Sequence, residues 1–245
     1  MKGASAPLSL NAWLRWDVVR RTLDELDGVR SVLEVGPGLG AVAERLALRY
    51  DYVGVERDST SLAVARKRLE RVGRGRVLHG DLDALGVESG FDLVCAFEVL
   101  EHVTDDAAAA RDWASKLRTG GTLLISVPAW RRLWGSSDSA VGHLRRYDRD
   151  DLVAVLEQAG LDQVRVLTYG FPLGYALHSA WDLAASRRRE RPLEERTAQS
   201  GRWFQPRQAL SPVTRAASFP FRVVQRPFAT TDLGTGFVAT ARRPG

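Results

Sequence analysis

The chain has 245 residues, 44% of them apolar and 27% charged, and a formal net charge of +5. These proportions exclude a collagen-like or wholly disordered chain and predict one large domain or one and a half. A single cysteine, Cys95, excludes an internal disulfide framework and points to a reducing, cytoplasmic setting.

The elements follow in chain order. Before Arg15 and Asp17 there is no uninterrupted apolar run, so no signal peptide is expected. Residues 11–26 are predicted as a helix capped by Asn11, with Trp13, Trp16 and Leu23 on one side. Residues 30–35 (RSVLEV) form a buried-strand candidate, followed by glycines and a helix that carries Val42, Leu46 and Tyr50. Next come a strand at 52–56 and a helix capped by Ser59, with Leu62, Ala65 and Leu69 along one stripe and Gly73 as its stop. Residues 76–79 make a short strand and 91–97 (FDLVCAF) a near-continuous apolar one, with Cys95 a buried small hydrophobe. A helix is predicted from Thr104, with Asp105 and Asp106 in its first turn and Gly120–Gly121 as its end. A strand at 122–127, a helix between Asp148 and Gly160, and strands at 164–168 and 236–241 complete the series. Alternating strands and helices predict a parallel sheet covered on both faces. The interval 169–235 is too long for a plain connection.

Charge is unevenly spread. Residues 171–245 hold 12 Arg, no Lys and five acids, a net of +7, which leaves the first 170 residues at −2. Such a basic third is expected to face phosphate, anionic headgroups, nucleic acid or only water. Nucleic acid is the weakest of these, because no RNA-binding module signature is present.

Glu34-Val-Gly36-Pro-Gly38-Leu-Gly40 follows a strand and opens a helix. Glycines there let backbone approach a ligand closely, and a helix N-terminus offers free N–H groups. Glu56, at the end of the next strand, can accept both hydroxyls of a ribose, so a nucleoside cofactor is expected. A dinucleotide site would call for G-x-G-x-x-G, and Glu34 is a poor neighbour for pyrophosphate. NAD remains the rival cofactor on the strength of the glycines and Glu56 alone.

With the stretches V-G-V-E-R-D (53–58), H-G-D-L (79–82) and F-D-L-V-C-A-F-E-V-L-E-H-V (91–103), the sequence resembles the class I S-adenosylmethionine-dependent methyltransferases over residues 30–168 and the last strand. The resemblance implies a doubly wound, Rossmann-like α/β sheet of seven strands, the last antiparallel. Gly36, Gly38 and Gly40 would then pack against the methionine portion of the cofactor, with Glu34 beside it and Glu56 on the ribose. Arg57 and Asp58 would edge the adenine, Asp81 would accept from its amino group, and Leu82 would stack or donate its backbone N–H. Phe97 and Glu98 would border the methionine amine. Residues 1–29 become a helical cap, 30–168 with 236–245 the cofactor-binding domain, and 169–235 a basic insertion over the acceptor.

Residues 127–147 contain D-x-x-x-G-H-x-R-R-Y, matched by Asp138, Gly142, His143, Arg145, Arg146 and Tyr147. This resembles the signature of a bacterial branch related to ubiquinone-type O-methyltransferases. It implies a small-molecule or lipid-like acceptor methylated at oxygen, with Trp130, Trp134, Asp138, Arg146 and Tyr147 as acceptor-side residues; His178, within the insertion, is a further candidate to line that pocket. His143 is the first candidate for a base or orienting group, since imidazole changes charge near neutral pH, and His102 is the second. His79 is expected in strand packing. No metal is expected. The stripe Leu173, Leu177, Trp181, Ala184 predicts an amphipathic helix, as active-site cap, interfacial segment or core. Residues 187–212 are the least foldable stretch, and Phe219–Phe228, broken by two prolines, is expected to be a loop or edge element on the sheet. A peripheral membrane contact through the basic third and a protein that binds the cofactor without catalysis both stay open.

Overall fold

The structure, a computed structural model, describes residues 6–187 and 211–245. The strands are β1 (Ser31–Val35), β2 (Asp51–Glu56), β3 (Arg76–His79), β4 (Phe91–Phe97), β5 (Leu117–Pro128), β6 (Asp162–Tyr169) and β7 (Gly236–Arg242). They form one sheet in the order β3-β2-β1-β4-β5-β7-β6, with β7 antiparallel to both neighbours and the other pairings parallel. Chain order runs outward from β1 to β3 on one side and from β4 to β5 on the other, beyond which β7 lies between β5 and β6. Connections leaving the carboxyl ends of β1 and β4 therefore diverge, and a crevice opens where ligands bind in such sheets.

The helices are α1 (Leu10–Glu25), α2 (Ala41–Ala47), α3 (Ser59–Val72), α4 (Asp106–Ser115), α5 (Ser136–Val141), α6 (Arg149–Gln158), α7 (Leu173–Ser186) and α8 (Ser211–Val224). Two cores sandwich the sheet. Leu14, Val18, Leu23, Leu46, Leu62 and Tyr52 fill one face, and Trp113, Leu117, Leu152, Leu156 and Phe237 the other. An isolated helix of α1's length is marginal in water. Each fully buried leucine contributes about 2 kcal/mol, so docking of Leu14 and Leu23 is what keeps α1 helical.

Several boundaries differ from the sequence reading, each for a local reason. Ser9, not Asn11, caps α1: its Oγ accepts from Ala12 N at 3.2 Å. Asp58, not Ser59, caps α3, accepting from Ser61 N at 2.8 Å, because a carboxylate is at least as good a cap and lies one residue earlier. Asp105 likewise replaces Thr104 at the start of α4. Tyr50 lies beyond α2, though it is buried. Gly120 and Gly121 do not end a helix. They lie inside β5, where a register shift against β4 absorbs them.

The largest correction concerns the segment expected as a loop or edge element on the sheet. It is the helix α8, followed by a short turn at Arg226–Phe228, and it packs on α1. Pro220 sits inside the helix on its exposed side. The inner face is lined by Ser218 and Gln225, both buried, beside the partly buried Phe221, so no continuous apolar stripe marked it in the sequence. Gln225 Nε2 donates to Leu14 O at 2.9 Å, and Gly170 N donates to Gln225 Oε1 at 3.0 Å. Most of the stretch expected to be least foldable, 188–210, lies outside the described residues.

Gly40, at the start of α2, has φ of +76°, and a Cβ there would meet Ala65 Cα at 2.8 Å. Gly40→Ala is therefore expected to lower stability by about 2–4 kcal/mol, combining left-handed backbone strain with overpacking. Denaturant unfolding checks this, and a change under about 0.5 kcal/mol would contradict it.

Candidate functional site

A cleft of about 1320 Å³ runs along the carboxyl ends of β1, β2 and β4 and continues beneath α1, α5 and α7. At one end the loop after β1 turns through Gly36 and Gly38. Gly38 has φ of +55°, and nothing lies within 4 Å of where its Cβ would be. Backbone geometry rather than crowding demands glycine there, and the loop presents bare main chain to the cleft. Glu56, at the end of β2, accepts from Gly38 N at 2.8 Å and from Asp58 N at 2.9 Å. Each of its oxygens keeps a second lone pair, one for each hydroxyl of a ribose. Because Glu56 takes the Gly38 N–H, that donor is not free for a diphosphate. Asp81 and Arg57 face each other at 3.1 Å on the rim, both well exposed, and Leu82 follows at the start of a short turn.

Glu34 lies 2% exposed at the floor, and its Oε2 accepts from Tyr52 Oη at 2.7 Å. Burial raises its carboxyl to about 7, with the Tyr52 hydrogen bond opposing the shift. Further along, Phe97 ends β4 and Glu98 adopts φ of +57°, a left-handed backbone that is uncommon outside glycine. Glu98 Oε1 is 3.2 Å from Arg15 Nη1 of α1, and accepts from Ser126 Oγ of β5 at 2.8 Å and Tyr169 Oη of β6 at 3.3 Å. Burial alone would raise this carboxyl. Arg15 and the Ser126 hydrogen bond outweigh it and hold Glu98 below the ordinary range.

Glu101, three residues on, is fully buried, and neither of its oxygens has a hydrogen-bond partner. Burial, then the charge of Glu98, push it well above the usual carboxylate range, so it is held protonated. Its Oε1 lies 3.7 Å from His143 Nε2. The other ring nitrogen of His143, Nδ1, is 2.7 Å from Asp138 Oδ1. Arg146 donates from Nε to both Asp138 oxygens, at 2.9 and 2.8 Å, and from Nη1 to Ala129 O at 3.1 Å. Burial of Asp138 is outweighed by the hydrogen bonds from His143 and Arg146, which keep it ionised. Asp138 thus favours the His143 tautomer with Nδ1–H turned to the carboxylate, which in the neutral ring leaves the lone pair on Nε2.

His102 stands edge-on to His143, with ring centroids 4.9 Å apart, and its Nδ1 is 3.0 Å from Gly142 O. Burial and the neighbouring His143 push its pKa down to about 4, so it is neutral at pH 7. One ligand atom each from Glu101, His102 and His143 lies within 4.8 Å of the others, a grouping compatible with a metal ion.

His178, on α7, lines the same end of the cleft, with its Nδ1 3.4 Å from Arg146 Nη2. Thus Asp138, Arg146, His143, His102 and His178 converge on the cleft together with the glycine loop, Glu56, Arg57, Asp58, Asp81, Leu82, Phe97 and Glu98. Three of the expected acceptor-side residues lie elsewhere. The Trp130 indole donates to Gly234 O at 3.0 Å and packs on Phe237. Tyr147 donates its hydroxyl to Asp106 at 2.9 Å. Trp134 borders a separate cavity of about 620 Å³ with Arg131, Asp151 and Tyr147. His79 bonds to Arg57 O at 3.0 Å and does not line the cleft.

Sequence reasoning missed Arg15, Tyr52, Ser126, Tyr169 and the burial of Glu101. Only Arg15, a lone cation between Trp13 and Trp16, carried a signal.

The site and sheet are those of a Rossmann-like methyltransferase fold. A family model described as "Methyltransferase domain" matches residues 11–166, more than half of the chain, and this chain belongs to that family. A Mycobacterium tuberculosis protein named "probable S-adenosylmethionine-dependent methyltransferase" is 32% identical over 159 residues, 63% of this chain and 57% of that one. A ubiquinone biosynthesis O-methyltransferase from Leptothrix cholodnii is 32% identical over 119 residues, 46% of this chain and 50% of that one. This chain thus spans less than two thirds of the length of these relatives. A Thermotoga maritima structure titled a "possible histamine N-methyltransferase" shares the fold, with a TM-score of 0.60 at 17% identity over 96% of this chain and 91% of that one.

Glu34 supplies a pH test. Its folded pKa of about 7 exceeds its ordinary 4.5, so the fold holds a proton that the unfolded chain has lost. Stability contributed by this group therefore falls as pH rises between those values. A cation beside Glu34 favours the ionised form, so affinity for S-adenosylhomocysteine, whose amino group is charged, should rise with pH through 7. Titration calorimetry across that window reads this, with a flat response expected in Glu34→Gln. An equal rise in that variant would assign it to another group.

Proposed function

We propose that this protein is an S-adenosylmethionine-dependent methyltransferase that methylates a small or lipid-like acceptor at oxygen, with His143 receiving the acceptor's proton. The observation that carries the reading is one continuous cleft, with a hydroxyl-accepting Glu56 beside bare glycine backbone at one end and an Asp138-anchored histidine at the other. The ubiquinone-type relative supports oxygen as the methylated atom.

When bound, S-adenosylmethionine supplies a methyl carbon made electrophilic by its sulfonium. Glu56 would hold the ribose, Asp81 the adenine edge, and Glu34 with Glu98 the charged methionine end. Those acids suit a cation, since opposite charges about 4 Å apart attract by about 4 kcal/mol at an effective dielectric of 20. Transfer requires acceptor oxygen and methyl carbon held in line about 3–3.5 Å apart. His143 Nε2 would take the hydroxyl proton as the acceptor oxygen gains the methyl group and S-adenosylhomocysteine leaves. Asp138 would set the tautomer of the neutral ring and stabilise the imidazolium that forms, as Arg146 in turn fixes Asp138.

A second reading is favoured by the orphaned Glu101. A divalent cation held by Glu101 and the Nε2 atoms of His102 and His143 would acidify the acceptor hydroxyl in place of a base. Both histidines already direct Nδ1 at an oxygen, the outer-shell arrangement that metal-bound imidazoles use. The two readings part on chelation. Transfer unaffected by EDTA supports the base, and loss restored by a divalent cation supports the metal.

S-adenosylhomocysteine is expected to bind with NAD inert, and Glu56→Ala to weaken that binding about 10–100-fold, the worth of hydrogen bonds to a charged group. Tight NAD binding without S-adenosylhomocysteine binding would favour an oxidoreductase. His143→Ala should leave this binding intact and slow transfer about 10²–10⁴-fold. Unchanged turnover would remove His143 from the mechanism, and binding without methylation of any hydroxylated acceptor would favour a non-catalytic cofactor-binding protein.

A further inference from the structure

Helix α8 is amphipathic in the reverse sense to an ordinary surface helix. At 3.6 residues per turn, Val213, Ala216, Pro220, Val223 and Val224 fall within an arc of about 100°, and all five are exposed. Val213 is 60%, Val223 43% and Val224 47% accessible, and the neighbouring Phe219 is 60% accessible. The face turned toward the protein is held by polar groups together with Phe221, which is partly buried against the core. Gln225 bridges Leu14 and Gly170, and Arg226 pairs with Asp17 at 3.2 Å. Since α8 is already fastened by its polar side, its outward apolar side has no role in packing against the described core.

Charge narrows what could cover that side. Residues 211–228 contain Arg215, Arg222 and Arg226 and no acid. Arg222 lies over the Trp13 ring of α1 at 5.0 Å and over the Phe219 ring at 5.4 Å, and burial, then the neighbouring Arg215, Arg226 and Arg20, depress its ionisation against Asp17. A second copy packed two-fold on this face would oppose arginine to arginine. An anionic surface satisfies both the apolar arc and its cationic edge. An interfacial helix does this by sinking apolar residues to the acyl boundary while arginines reach the phosphates.

We propose that the outward face of α8 docks on anionic lipid, with Val213, Phe219, Val223 and Val224 entering the headgroup–acyl boundary and Arg215 and Arg222 contacting lipid phosphates. The contact is peripheral, since among the described residues no helix is long and apolar enough to cross a membrane. It stands independently of the methyl-transfer reading, because it requires no cofactor or acceptor.

The test is flotation of the full chain with phosphatidylcholine vesicles and with equimolar phosphatidylcholine–phosphatidylglycerol vesicles. Binding is expected only to the anionic vesicles and should weaken with added salt. Arg215→Gln should reduce it about fivefold, the effect of one cation near an anionic surface. The double variant Phe219→Asp, Val223→Asp should abolish it while leaving thermal unfolding unchanged, because both side chains are exposed. A second readout uses Val223→Cys, which can be labelled selectively because the native Cys95 is buried. An environment-sensitive dye there should shift to the blue on anionic vesicles alone. Absence of anionic-vesicle binding, binding that survives the double aspartate variant, or self-association that depends on Phe219 would each overturn the proposal.

Discussion

Glu98 is where the parts of this molecule meet. It ends β4 in a left-handed backbone conformation, and its carboxylate gathers Arg15 from α1, Ser126 from β5 and Tyr169 from β6. A buried carboxylate of this kind is tolerated only with a cation and several donors around it. Satisfying it draws the N-terminal helix over the carboxyl edge of the sheet, and that helix roofs the cleft. The same charge reaches three residues along the chain. Glu101 is buried too deeply and too near Glu98 for both to ionise, so Glu101 keeps its proton beneath His143.

The cleft is therefore electrostatically graded. One end is lined by Glu34, Glu56, Asp58, Asp81 and Glu98, an environment that welcomes a cation and repels a diphosphate. The other end is built around a fixed dyad. Arg146 locks Asp138, Asp138 locks His143, and α7 contributes His178 on the far side. Asp182 of α7 also accepts from Ser137 N at 2.9 Å, fastening the short helix α5 that carries Asp138. Side chains locked in series lose little freedom when a ligand arrives, which is what orientation-dependent transfer requires.

The basic C-terminal third is divided by this arrangement. Arg226 is committed to Asp17 and Arg243 to carbonyls at the end of α4, so part of the excess charge is structural. Arg215 and Arg222 lie on α8, where they border apolar residues that nothing in the described core covers, and six of the twelve arginines fall at 188–207, outside the described residues. Net charge alone could not separate these roles, because each depends on which acid or carbonyl the fold carries to each arginine.

Much of this protein was legible in its sequence. Strand–helix alternation defined the sheet, since short apolar runs between amphipathic segments can be buried only by covering both faces. The glycine loop, Glu56 and the D-x-x-x-G-H-x-R-R-Y run are local, so their residues stay together in any fold that forms the strand before them. What the sequence left open is long-range. Arg15, Ser126 and Tyr169 reach Glu98 from positions 28 to 83 residues away, and no periodicity records such a contact. Trp130, Trp134 and Tyr147 share a segment with His143 yet point away from the cleft, because a turn directs neighbouring side chains to opposite sides. Helix α8 was hidden because polar Ser218 and Gln225 occupy its inner face, inverting the pattern by which a buried stripe is recognised. Local chemistry and the succession of strands and helices along the chain were determined by the sequence itself, while the antiparallel last strand was implied only by the family resemblance. Which charges face one another, and so which carboxyl keeps its proton, was decided only by tertiary structure, because burial and distance set ionisation and neither is a property of sequence neighbours.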